Sequence, residues 1–143
     1  MVIENKGIEK IYSFYVSDFH LEMILLPFIK NKMAKEENVI IKSEYDLKDS
    51  LEVLLSKINM TEKEKSEILN LDWDKSEKTN EIKNDTNVII IGNKNYISNI
   101  NEQIGKNNIN NATIVDCYKV DDIQGNVEDI VKNYNRGLTT NIL

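Results

Sequence analysis

The run Val88-Ile89-Ile90-Ile91-Gly92 decides the fold. Four consecutive β-branched residues favour extended backbone, and alternate side chains of a strand point to opposite faces, so a run that is apolar at every position must be covered on both faces. Such a strand belongs at the centre of a parallel sheet with helices on either side. Working outward, Ile97, Ile100 and Ile104 give the following segment one apolar helical face, and Gly105 suits its C-terminal end. After the asparagine-rich connector 106–111, Thr113 to Val120 reads as another strand. Asp121 or Asp122 is then placed to cap a last helix with Ile123, Val127, Ile130, Val131 and Tyr134 on its apolar face.

Upstream of the central run the same alternation recurs. Ile8 to Val16 is rich in Ile, Tyr, Phe and Val and reads as a strand, with Tyr12 and Phe14 on one face and Ile11, Ser13 and Tyr15 on the other. Ser17 or Asp18 can cap the helix carried by Leu21, Ile24, Leu25, Phe28 and Met33, which Pro27 should kink or divide. Val39-Ile40-Ile41 suggests a second buried strand. Asp46 then caps a helix with Leu47, Leu51, Leu54, Leu55 and Ile58 on one side, and Thr61 with Glu64 forms a capping-box pattern for a short helix through Leu69. Leu71 to Trp73 reads as a short extended piece, and 74–86 as a polar surface loop with little to bury. Strands that alternate with helices imply right-handed parallel crossovers. The expected architecture is one α/β domain spanning 1–143, a three-layer sandwich with a mostly parallel four- to five-stranded sheet and helices on both faces.

Composition narrows the function classes. Asn, Ile and Lys supply 58 of the 143 residues while Arg136 is the sole arginine, which is the codon bias of an AT-rich genome and points to a low-GC bacterium. The lysines therefore carry no message about nucleic acid, and a net charge of −6 opposes phosphate contacts. No apolar stretch is long enough for a membrane span, and the first residues lack the pattern of a secretory signal. With Cys117 as its one cysteine, the chain is expected in the cytoplasm, with no disulfide and no metal or cofactor.

In an open parallel sheet, ligands bind beyond the carboxyl ends of the strands, where the strand order reverses. That rule selects the loops after the four strands, and from them Ser17, Asp18, His20, Ser43, Gly92, Asn93, Lys94, Asp121 and Asp122 as candidate ligand-binding residues. Helix N-termini at this edge would offer free N–H groups to an anion. Neither a P-loop nor a G-x-G-x-x-G fingerprint is present, and Gly92-Asn93-Lys94 alone is a plain strand-to-helix turn. His20 could serve as a general base beside Asp18 or Glu22, but a lone histidine in a first helical turn is ordinarily a surface residue. Cys117, with no base near it in sequence, reads as a small buried hydrophobe, and the aromatics Tyr12, Phe14, Tyr15, Phe19 and Phe28 read as core. The acids Asp18, Asp121 and Asp122 do not follow the order of a phospho-receiver site, in which the acceptor carboxylate follows the third strand; here that place is taken by Gly92.

The segments Ile11-Tyr12-Ser13-Phe14-Tyr15, Leu25-Leu26-Pro27-Phe28-Ile29 and Asn38-Val39-Ile40-Ile41 resemble the opening of the bacterial MEDS sensory domains, which are similar to RecA/KaiC-type α/β domains lacking the phosphate loop. The resemblance covers the first third of the chain. It implies a non-catalytic regulatory or sensory domain that binds a small molecule or a protein partner. Two other readings stand beside it: a small enzyme or nucleotide-binding protein using Asp18, His20, Lys94 and Asp121, and a homodimeric scaffold that packs through an apolar helix face or the tail from Leu138 to Leu143.

Overall fold

The computed structural model describes residues 7–76, 78–79, 81–123 and 125–139. The elements follow in the order β1 (Ile8–Tyr15), α1 (Asp18–Ala34), β2 (Asn38–Ser43), α2 (Lys48–Leu55), α3 (Glu62–Leu69), β3 (Thr86–Ile91), α4 (Lys94–Lys106), β4 (Ala112–Lys119), a single 3-10 turn Val120–Asp122, α5 (Val127–Val131) and β5 (Arg136–Gly137). All five strands join one sheet in the order β2-β3-β4-β1-β5, and every pairing is parallel. The α/β sandwich anticipated from the alternation of strands and helices is therefore present. All six residues of β3 are buried, the run Val88–Ile91 as its apolar pattern requires and the polar Thr86 and Asn87 with it.

Chain direction explains which helix lies on which face. With right-handed crossovers, a connection running one way along the sheet covers one face and a connection running back covers the other. From β1 to β2 the chain travels to the far edge, and α1 packs Leu21, Ile24, Leu25, Phe28 and Ile29 with Ile11, Ile41, Ile89, Ile91 and Val115 in the first core. From β3 to β4 it returns, and α4 packs Ile97, Ile100 and Ile104 with Val88, Ile90 and Ile114 in the second. Each of these isoleucines, fully buried, stabilises by about 1.5–3 kcal/mol against exposure.

Several local expectations are corrected. Pro27 does not divide α1, which runs unbroken from Asp18 to Ala34 with Pro27 on its exposed side. Asp46 does not cap α2; the N-cap position falls on Leu47, and Asp46 instead accepts the Lys75 N–H at 2.8 Å. Asp121 and Asp122 form the 3-10 turn rather than a cap, and α5 begins only at Val127 behind Asn126. Gly125, with a positive φ of 81°, breaks the anticipated longer helix. Gly105 lies inside α4, and the left-handed residue beyond that helix is Asn108, at φ 59°. Leu71 to Trp73 forms no strand; Trp73 is buried and donates its indole N–H to the Ile68 carbonyl at 2.7 Å.

The polar stretch from Asp74 to Asp85 has more to bury than its composition suggests. It passes the carboxyl end of β2, where Lys75 bridges to Ser43, and then covers the second face of the sheet's edge. Ile82 enters the second core, Thr79 is buried, and Lys42 lies wholly buried beneath the segment with its ammonium paired to Glu81. Tyr96 donates its hydroxyl to the Ser76 carbonyl. A buried ammonium needs a partner because desolvation disfavours its charge, and burial pushes the Lys42 pKa down.

Candidate functional site

Two crevices open at the carboxyl edge, because adjacent strands there send their chains to opposite faces. β2 leads into α2 on the first face and β3 into α4 on the second; β1 leads into α1 on the first face and β4 into the turn toward α5 on the second. These are the positions where an α/β sheet offers room for a ligand. Ser43, Gly92, Asn93 and Lys94 gather at the β2–β3 crevice, and Ser17, Asp18, His20, Asp121 and Asp122 at the β1–β4 crevice. The nine candidate residues thus form two groups rather than one.

The β2–β3 crevice is filled by the protein itself. Ser43 and Ile91 are register partners, which brings Glu44 beside Gly92. The Glu44 N–H donates to the Ile91 carbonyl at 2.8 Å, and its carboxylate accepts the Asn93 N–H at 2.8 Å and the Asn93 side-chain amide at 3.3 Å. A carboxylate so placed occupies the spot an anion would take at the start of α4, and it is favoured there by the same dipole. The Asn93 side chain meanwhile caps Tyr96 N–H at 2.8 Å. Gly92 is glycine for a steric reason: a Cβ there would lie 2.6 Å from Tyr96 Cδ2 and 3.0 Å from Glu44 Oε1. Ser43 is buried, its hydroxyl donating to the Tyr45 carbonyl at 2.6 Å and accepting the Tyr45 N–H at 3.0 Å. Only Lys94 of this group is exposed to solvent.

At the β1–β4 crevice the polar groups of the first turn of α1 are also engaged. Ser17 Oγ accepts the His20 N–H at 3.1 Å, as expected of an N-cap serine, and His20 Nδ1 accepts the Val16 N–H at 3.0 Å. His20 is thereby held as a second, side-chain cap of the strand-to-helix turn. Asp18, Asp121 and Asp122 are exposed and make no hydrogen bond or ion pair among the described residues. The charges of Asp18 and Asp122 are felt by two tyrosines, and that of Glu44 by one of them. Burial, then Glu44, Asp122 and Asp18, push the Tyr45 phenol up to about 12, and burial above all, with Tyr45, Cys117, Asp18 and Asp122, raises that of Tyr15 further. Cys117, on the strand below, is fully buried and its thiol is pushed up by burial, which makes it a poor nucleophile.

Several apolar side chains after the strands and on α1 are exposed where sequence reasoning placed them elsewhere or passed over them. Phe19, expected in the core, is 57% exposed. Val16, at 62% exposure, and Val120, at 37%, follow the last register pair of β1 and β4, Tyr15 and Lys119. Met23, one turn beyond Phe19, and Tyr45 are exposed as well. The i,i+4 spacing of Phe19 and Met23 on the side of α1 away from Leu21 and Leu25 was the available signal.

Two buried acids were not legible as such. Asp116 lies in the middle of β4 with no solvent exposure, and accepts from Lys10 Nζ at 2.8 Å, Asn101 Nδ2 at 3.0 Å and Tyr134 OH at 2.5 Å. Tyr134 also meets the Tyr118 hydroxyl at 2.6 Å, so this network ties β1, β4, α4 and the chain leading to β5 together with every oxygen of the carboxylate satisfied. Glu22 is the opposite case: it is buried on α1 and neither carboxyl oxygen has a hydrogen-bond partner among the described residues. Burial raises its pKa, Ser50 on α2 offsets part of that, and the Asp18 charge adds to it.

Among the described residues no group of His, Cys, Asp or Glu is placed to hold a metal ion, and no helix is long and apolar enough to cross a membrane. Comparison with known proteins returns no matching family model, no matching curated protein and no matching solved structure.

Proposed function

We propose that this chain is a non-enzymatic regulatory or sensory module of a low-GC bacterium, acting by binding at the β1–β4 crevice. One observation carries this reading. Several of the polar groups that catalysis or phosphate binding would draw on are engaged with the protein itself, Asn93 with Glu44, His20 with Val16, and Ser43 with Tyr45, while Asp18, Lys94, Asp121 and Asp122 face solvent together with apolar side chains of the same edge. A surface of that kind suits recognition better than proton transfer, which needs a titratable group within reach of a substrate. The resemblance of the first third of the chain to MEDS sensory domains supports the same reading, as does the lack of a P-loop motif in the sequence.

The test is a thermal-melting screen against nucleotides and metabolites on the wild type and on the His20→Ala/Lys94→Ala double variant, since a ligand that binds only the folded state raises the melting temperature. Any stabilising ligand is expected to act equally on both proteins. A nucleotide shift present in the wild type and lost in the double variant sinks the reading in favour of a nucleotide-binding or catalytic one.

A further inference from the structure

We infer that the chain from Asn126 to Thr139 is a detachable strap, which lifts off β1 as one unit while β1 to β4 stay folded, and that the contact of Tyr134 with Asp116 is its latch. Burial divides the molecule at this point. No residue from Asn126 to Thr139 is buried, whereas β3 is buried throughout and β4 nearly so. Of the strap's apolar side chains, Ile130 and Tyr134 reach the second core and Leu138 the first, each only partly buried. Its helix α5 has 5 residues and its strand β5 has 2, and Gly125, at φ 81°, gives the backbone freedom just before it. A segment with few buried apolar contacts opens at a lower free energy than the core it rests on.

The directed contacts that hold the strap are made to β1 and β4. The Asn135 N–H donates to the Lys10 carbonyl at 2.7 Å, the Asn135 side-chain oxygen accepts the Lys10 N–H at 2.7 Å, and the Leu138 N–H donates to the Tyr12 carbonyl at 2.8 Å. Gly137 lets the Tyr12 ring lie against the strap backbone, since a Cβ there would be 2.6 Å from Tyr12 Cζ. The Tyr134 hydroxyl gives its proton to Asp116 at 2.5 Å, so the Tyr118 hydroxyl, 2.6 Å away, donates to Tyr134 in turn. One strap residue thus completes two polar groups of β4, and a hydrogen bond to a buried carboxylate is among the stronger kinds. On release Asp116 keeps the Lys10 ammonium at 2.8 Å and the Asn101 amide at 3.0 Å, both from elements that stay in place. The buried carboxylate is therefore never left unpaired, and opening breaks the latch without breaking the core. Release uncovers the outer edge of β1 and the rings of Tyr12 and Tyr118, against which Tyr134 packs at centroid distances of 5.8 and 6.4 Å. Closed, the strap covers the end of the sheet; open, it leaves β1 an unpaired edge strand.

Native-state hydrogen exchange of the full chain, read residue by residue by NMR at neutral pH and low urea, tests this. The amides of Lys10, Asn135 and Leu138 should exchange together, about 100-fold or more faster than those of Ile89 and Val115 and still well below the unprotected rate. Tyr134→Phe should speed the three strap amides about tenfold, the loss expected for a hydrogen bond to a charged group. Gly137→Ala, which drives a Cβ into the Tyr12 ring, should speed the same three. Ile89→Val, in the first core, should speed Val115 several-fold and leave the strap amides unchanged, because the contacts of Ile89 survive when the strap lifts. Strap amides that exchange at the rate of the central strands, or at the unprotected rate, overturn the inference. So do strap amides unchanged by Tyr134→Phe, or accelerated along with the core by Ile89→Val. These outcomes are independent of the ligand screen on His20 and Lys94, which decides the non-enzymatic reading.

Discussion

Over β2 and β3, the loop that follows β2 folds back across the strand ends, and its Glu44 carboxylate takes the Asn93 N–H that an anion would otherwise seek. Over β1 and β4, Asp18, Asp121 and Asp122 are left in solvent, as are Val16, Phe19 and Val120. Both crevices arise from the same topological rule, so topology alone does not make a site. A crevice becomes available to a ligand only where the local chain leaves its polar groups or its apolar surface unsatisfied. The closed crevice should accordingly respond to substitution through stability, and the open one through binding.

The largest effect should come from Trp73→Ala. Trp73 is fully buried in the first core, its carbonyl receives the Leu47 N–H at the start of α2, and its indole binds the Ile68 carbonyl. Loss of so large a buried side chain should cost about 4 kcal/mol in urea unfolding. Gly92→Ala should cost about 2 kcal/mol, because its new Cβ has to displace the Tyr96 ring and the Glu44 carboxylate. Gly105→Ala provides the control: nothing lies within 4 Å of its Cβ position inside α4, and the change should stabilise by about 0.5–1 kcal/mol. If both glycine changes prove equally benign, the closed crevice is not packed as described.

Glu44→Ala leaves the Asn93 N–H without its acceptor and should cost about 1–2 kcal/mol, with Glu44→Gln, which retains an acceptor oxygen, costing less. A subtler effect is expected at Glu22, buried on α1. Its pKa in the folded state is raised above the unfolded value, so between the two the folded chain holds a proton that the unfolded chain has released. Stability should therefore fall as pH rises from the ordinary carboxyl range through the raised folded value. Glu22→Gln should remove that slope, matching the wild type in acid and exceeding it at neutral pH in urea midpoints. Smallest of all, Phe19→Ser should move stability by less than about 0.5 kcal/mol; a larger loss would mean that the residue is packed, and would close the open crevice.

Much of the architecture was legible because burial leaves a period in the chain. β3 is apolar at every position from Val88 to Ile91 and is covered on both faces, while Ile97, Ile100 and Ile104 recur at helical spacing and lie on one side of α4. The errors fall where a short polar side chain had more than one use. Asp46, Asp121 and Asp122 each look like helix caps in sequence, but Asp46 serves a distant N–H and the other two form a tight turn. Phe19 was read as core because aromatics usually are, although the helix turns it outward.

Local pattern by itself marked the strands β1 to β4 and the helices α1 to α4 and implied their parallel pairing, since backbone preference and the period of apolar residues act over a few neighbours; it did not reveal β5 or the shortness of α5. Only the tertiary structure decided that Glu44 meets Gly92 and Asn93, that Asp116 draws Lys10, Asn101 and Tyr134 around it, and that one crevice is filled while the other is open. Those contacts join residues far apart in the chain through strand register, and register is set by how both faces of the whole sheet are buried rather than by any one segment.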